Sequence, residues 1–102
     1  MKRIINGLTY NTETATRVAG WDEGYGGDFH KVTEAIYVSK KGRWFRAGSG
    51  GPASMYAIAE GNAYRGGSGL FPLTEDDAML ILEQRNQTEE LETHFSHLIQ
   101  EA

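Results

Sequence analysis

His94 and His97 stand three residues apart near the end of the chain, with Glu90 and Glu101 about one helical turn to either side. Side chains at such a spacing can share a metal ion. A structural zinc site needs about four ligands, and these carboxylates would be long and solvated. The pattern therefore reads as the polar face of a helix, and no metal is expected. Gly48-Ser49-Gly50-Gly51 could turn backbone N–H groups toward a phosphate. No Gly-Lys-Ser/Thr follows it, and no Gly-x-Gly-x-x-Gly opens a helix after a buried strand. It is thus neither a P-loop nor a dinucleotide fingerprint. It reads as a loop with unusual backbone angles, and no cofactor is expected.

Arg43-Trp44-Phe45-Arg46, with Lys40 and Lys41 just before, mixes cations and aromatics. That is the composition of a single-strand stacking platform. In a strand, however, Trp44 and Arg46 share one face and Phe45 takes the other, so one aromatic belongs to the core. The acidic net charge also argues against nucleic acid. Ser39, Ser49, Ser54, Ser68 and Ser96 supply hydroxyls, but none sits in a Gly-x-Ser-x-Gly elbow. Glu34 and Glu60 would form a carboxylate pair only if the fold joined them. Catalysis is not expected.

Charge is the remaining signal. The 102 residues carry a net charge of −4, unevenly spread. Residues 1–70 hold nine Lys or Arg against six Asp or Glu, whereas residues 71–102 hold one against eight. A negative surface of that kind can mimic a phosphate track and steer a cationic partner. The bland alternative is that amphipathic helices need a solvated face. The candidate contact residues are Glu75, Asp76, Glu83, Glu89 and Glu90, and the alternative patch is Tyr37, Arg43, Trp44 and Arg46.

The elements that would position these groups follow from local pattern. Asn6-Gly7 suits a type I′ turn between strands at 3–5 and 8–10, with Ile5, Leu8 and Tyr10 turned to the core. Residues 12–21 read as a strand, because Thr14, Thr16 and Val18 disfavour helix. In that strand Ala15, Arg17, Ala19 and Trp21 share a face and Val18 takes the other. Residues 22–28 read as a glycine-rich loop. Residues 29–47 form a central hairpin around Lys40-Lys41-Gly42, with Gly42 left-handed. Residues 48–52 break it, 53–60 read as one or two helical turns, and 62–69 as a second glycine-rich loop. Residues 70–73 are a short strand that Pro72 confines to an edge or an end.

Thr74 with Asp77 makes a capping box, and Glu75, Asp76 and Asp77 suit the first turn of a helix. Asn86 with Glu89 suggests a second box. Leu91, Phe95, Leu98 and Ile99 then form an amphipathic stripe. The expectation is one α+β domain over 1–102. Residues 1–73 are mainly β, a small antiparallel sheet of hairpins, and 74–100 are two helices packed on it. The chain lacks cysteine and any apolar run of the roughly 20 residues a bilayer span needs. No secretory signal is expected either, and a cytoplasmic protein away from membranes is expected. Asn86-Gln87-Thr88 is then a chance glycosylation triplet.

The opening Lys2-Arg3-Ile4-Ile5-Asn6-Gly7-x-x-Tyr10-Asn11-Thr12-Glu13-Thr14-Ala15 resembles a family of small proteins carried by bacteriophages, plasmids and integrating elements of bacteria. The likeness continues through Asp28-Phe29, Glu34-Ala35-x-Tyr37, Lys41-Gly42-x-Trp44-Phe45, Gly48-x-Gly50-Gly51, Ser54-x-Tyr56 and Pro72-Leu73-Thr74. It covers most of the first 80 residues but not the last helix. The family is largely uncharacterised, and the resemblance implies no catalytic role for these motifs. The resemblance implies, by association, a counter-defence factor such as an anti-CRISPR protein. The implied partner is a host CRISPR–Cas effector in the bacterial cytoplasm, a type I complex first and a Cas9-type nuclease second. A nucleic-acid-binding accessory protein using the hairpin, and a self-associating module that forms a homodimer, are the other readings.

Overall fold

The computed structural model describes residues 1–24 and 29–102. Strands β1 (Lys2–Ile5) and β2 (Leu8–Asn11) form the first hairpin. Asn6 and Gly7 at its tip have φ of 51° and 77°, as a type I′ turn requires. Pairing of Arg3 with Tyr10 and Ile5 with Leu8 places these four on one face, as the sequence implies.

The main sheet has four antiparallel strands: β3 (Thr16–Glu23), β4 (Val32–Val38), β5 (Trp44–Gly50) and β8 (Gly67–Leu73), in that order. Gly42 turns the β4–β5 connection at φ +83°. Between β5 and β8 a separate small hairpin joins β6 (Ile58–Glu60) to β7 (Ala63–Arg65). Helices α1 (Glu75–Gln84) and α2 (Thr88–Phe95) follow, and a short 3-10 turn, Ser96–Leu98, ends the ordered elements. The chain is an α+β protein: a small antiparallel sheet with hairpins, followed by two C-terminal helices. Pro72 sits on edge strand β8, where its missing N–H disturbs no ladder.

Each face of the sheet carries its own core. Ala19, Ile36 and Trp44 face the helices and pack with Ala78, Leu82 and Phe95, all buried. Phe45, Ala47 and Leu70 point the other way and meet Tyr10, Leu8 and Ile5 of the first hairpin. The sheet is therefore the middle of three layers. The alternation of apolar groups on both sides of β4 and β5 is the sequence record of that double burial.

Several expectations are corrected. A bulge between Arg17 and Ala19 breaks the alternation of β3. Ala19 and Trp21 face the helices, and Val18 packs with them, while Arg17 turns to the opposite face opposite Tyr37. Residues 53–60 contain no helix: turns lead into β6. β5 runs on to Gly50, and most of 62–69 is β7 and the start of β8. β3 also runs on to Glu23; the part of the expected loop at 25–28 lies outside the described residues.

The glycines of β5 and β8 have a steric purpose. A Cβ on Gly50 would lie 2.3 Å from the Ser54 Oγ, and one on Gly67 would lie 2.6 Å from the Tyr56 carbonyl. The segment around 54–58 crosses this part of the sheet in close contact with its backbone. Side chains at those positions would lift it off. Loop flexibility and phosphate binding have no part in that account.

Helix α1 begins as expected. The Asp77 N–H donates to the Thr74 hydroxyl at 3.0 Å, and the Thr74 N–H donates to the Asp77 carboxylate at 3.3 Å. The second box does not form. Asn86 adopts φ +55° and ends the turn after α1, and Gln87 caps α2 without a side-chain bond. The amphipathic stripe is also cut short. Phe95 is fully buried, but the helix stops there, and Leu98 and Ile99 remain exposed.

Candidate functional site

The acidic residues fall on the outer layer. Glu75, Asp76 and Glu83 on α1 and Glu89 on α2 are exposed, and Glu90 is half-buried. Among the described residues, no Lys or Arg comes within 4 Å of their carboxylates. Their nearest potential cation is His97, whose Nε2 lies 3.7 Å from Glu75 Oε1. His94 is engaged differently: its ring meets Trp44 edge-on at 5.6 Å.

Arg85 is the one Lys or Arg within residues 71–102, and it is turned inward. It closes α1 as the C-cap, and its guanidinium ion-pairs with Glu23 on β3. It also lies 4.5 Å over the Trp21 ring and 3.9 Å from Glu34. The one Lys or Arg of the helical segment is thus engaged by the sheet.

The alternative patch does not assemble. Trp44 is buried and stacks on Phe95 at 4.9 Å, inside the helix-side core. Arg46 shares its face, lies 5.7 Å from the Phe71 ring and reaches toward Glu34. Tyr37 lies on the opposite face, stacked on Phe45 at 5.2 Å. Arg43 is exposed beside the β4–β5 turn. Strand alternation puts Trp44 and Arg46 on one face of the sheet and Tyr37 on the other, with Arg43 outside the strand.

Glu34 and Glu60 do not act as a pair either. Glu60 is exposed on β6 and lies 3.6 Å from Arg65. Glu34 is buried at 7% exposure and is the centre of a polar cluster that the pairing patterns do not announce. The Tyr56 hydroxyl donates to it at 2.5 Å, and Trp21 Nε1–H at 3.2 Å. Arg46 Nε, itself buried without a hydrogen bond, is 3.7 Å away. One signal for the cluster was present in the sequence: Glu34 interrupts the apolar run Val32, Ile36, Val38 at period two. A carboxylate on a core-facing strand position must find donors. Which donors it finds depends on β3, β5, α1 and the 54–58 crossing, which are remote in sequence.

Burial pushes the Tyr56 hydroxyl well above the ordinary tyrosine value, and its hydrogen bond to Glu34 and that group's charge push the same way. A folded pKa above the unfolded one means that folding favours the neutral phenol. This contribution is whole below about pH 10, the unfolded value, and is lost as pH rises beyond it. A tyrosinate absorbance titration of the wild type minus that of Tyr56→Phe should therefore show a midpoint well above pH 10, accompanied by falling stability. An ordinary midpoint would mean that the phenol is not held by Glu34.

No helix among the described residues is long and apolar enough to cross a membrane. No protein-family model, curated protein or solved structure matches the chain. The class that fold and site define is therefore structural: a small α+β protein whose sheet is covered by a hairpin on one side and by acidic helices on the other.

Proposed function

We propose that this chain is a mobile-element-borne inhibitor that binds a host defence complex stoichiometrically and blocks it by occupying a cationic surface. A CRISPR–Cas effector is the target proposed, a type I complex before a Cas9-type nuclease, and the action is steric, without catalysis. The observation that carries the reading is the inward turn of Arg85, which leaves the exposed carboxylates of α1 and α2 without a Lys or Arg within 4 Å. Uncompensated surface charge of one sign accelerates encounter with a surface of the other sign. The resemblance of the first 80 residues to small proteins of phages and integrating elements supports the biological setting.

The test is charge reversal at Glu83, which is exposed, and Glu90, which is half-buried. The double variant Glu83→Lys, Glu90→Lys should fold normally, yet bind a purified effector on the order of 10- to 100-fold more weakly and lose inhibition of target-DNA binding. The wild-type interaction should also weaken as salt rises. Full inhibition by the double variant would eliminate acidic docking.

A further inference from the structure

Between α1 and α2 lies a groove of about 360 Å³, closed on one side by the chain leaving the 3-10 turn. Met79, Leu91, Leu98 and Ile99 supply its apolar lining, and Glu83 and Glu92, one from each helix, stand among its lining residues. Leu98 and Ile99 are 45% and 41% exposed, although the amphipathic pattern alone would bury them. The helix ends at Phe95, so these two side chains are carried past the core and left on the surface. An apolar groove flanked by carboxylates, in a segment with seven more acidic than basic groups, complements an occupant that is both apolar and cationic.

From this we infer that the α1–α2 groove is the docking site for a basic amphipathic helix of the partner protein. A large apolar side chain of that helix enters between Met79, Leu91, Leu98 and Ile99, and its lysines or arginines meet Glu83 and Glu92. This is helix-in-groove recognition, in which buried apolar anchors give most of the affinity and charge gives orientation and rate. The inference rests on the acidic-face reading above and adds the apolar half of the contact. It also narrows the target surface from any cationic patch to one that presents an amphipathic helix.

The probe is a synthetic helical peptide about 16 residues long, with leucines at i, i+3, i+4 and i+7 and lysines elsewhere. Its comparison is an isomer of the same composition with the leucines scattered around the helix. Binding to the full chain is followed by fluorescence anisotropy at near-physiological salt. The stripe peptide should bind about 10-fold or more tightly than its isomer, and the exposed-site variant Leu98→Asn, Ile99→Asn should lose a similar factor. Equal binding of the two peptides to the wild type would overturn the groove without recourse to any variant. Unchanged binding by the Leu98→Asn, Ile99→Asn chain would do the same. Light scattering that showed a dimer dissolved by this variant would assign the groove to a second copy and likewise overturn the proposal.

The two readings fail separately. If Glu83→Lys, Glu90→Lys abolishes effector inhibition while Leu98→Asn, Ile99→Asn leaves it intact, the groove is wrong and the acidic face stands. If charge reversal leaves inhibition intact, the acidic reading fails and the inferred groove falls with it.

Discussion

Phe95→Ala is expected to destabilise the protein by about 3–5 kcal/mol, the range for truncating a fully buried aromatic. Phe95 has no exposed surface and stacks on Trp44 with ring centroids 4.9 Å apart and planes inclined by 24°. It is the buried residue of α2 and the point where that helix is fastened to the sheet. Domains of this size are stable by roughly 5–15 kcal/mol, so the loss takes a large share of the total. Urea unfolding followed by tryptophan fluorescence measures it, with Leu80→Ala, at a position 54% exposed, as the control expected within about 0.5 kcal/mol of wild type. A cost below about 1 kcal/mol for Phe95→Ala would mean that the helical layer is not docked through this ring pair.

Some of the fold was legible in the sequence and some was not, and the range of each signal decides which. Most signals that act over a few residues were readable, although the Asn86–Glu89 box did not form and 53–60 held no helix. Asn6-Gly7 specifies its turn through two positive φ angles, Gly42 through one, and Thr74 with Asp77 closes a helix start by bonds that span three positions. Alternation on β4 and β5 was readable because both sheet faces are covered. Features set by remote chain segments were hidden. Gly50 and Gly67 look like loop residues until the 54–58 crossing is seen lying on them, and Gly48 until the β4 backbone is seen beside it. The β3 bulge reverses Arg17 and spoils the expected face.

The candidate site divides in the same way. Charge asymmetry is a property of composition, so the acidic surface of α1 and α2 could be anticipated, and the exposed carboxylates are where the helical pattern puts them. The hairpin patch failed as a unit because pleating separates Tyr37 from Trp44 and Arg46, and because Trp44 is needed by the core. The inward course of Arg85 was not readable, since its partners Glu23 and Glu34 lie on strands far away in sequence. Yet it decides how negative the outer layer is. The Glu34 cluster and the acidic face are therefore linked by one placement: Arg85 ion-pairs with Glu23 and lies 3.9 Å from Glu34, and does not reach the helical carboxylates.

Glu34→Ala should accordingly act on stability, at about 3–5 kcal/mol, the cost of removing one partner from a buried charged network. The substitution leaves the Tyr56 hydroxyl and Trp21 Nε1–H without their acceptor and Arg46 and Arg85 without the carboxylate between them. The loss should be larger than that of Tyr56→Phe, which removes a donor but leaves Glu34 with Trp21 and both guanidinium groups, and which should cost about 1–3 kcal/mol. The two should not be additive. Once Glu34 is gone the Tyr56 hydroxyl has no acceptor left to lose, so a double-mutant cycle should give a coupling of about 1 kcal/mol or more. Hydrogen exchange supplies the spatial check. Tyr56 fastens the 54–58 crossing to the sheet, and the Ala57 N–H, which donates to the Ser54 carbonyl, should lose protection in Glu34→Ala before the amides of β4 and β5 do. If Glu34→Ala unfolds within about 0.5 kcal/mol of wild type, the carboxylate is not a structural centre. Arg85 would then be held by Glu23 and the Trp21 ring alone.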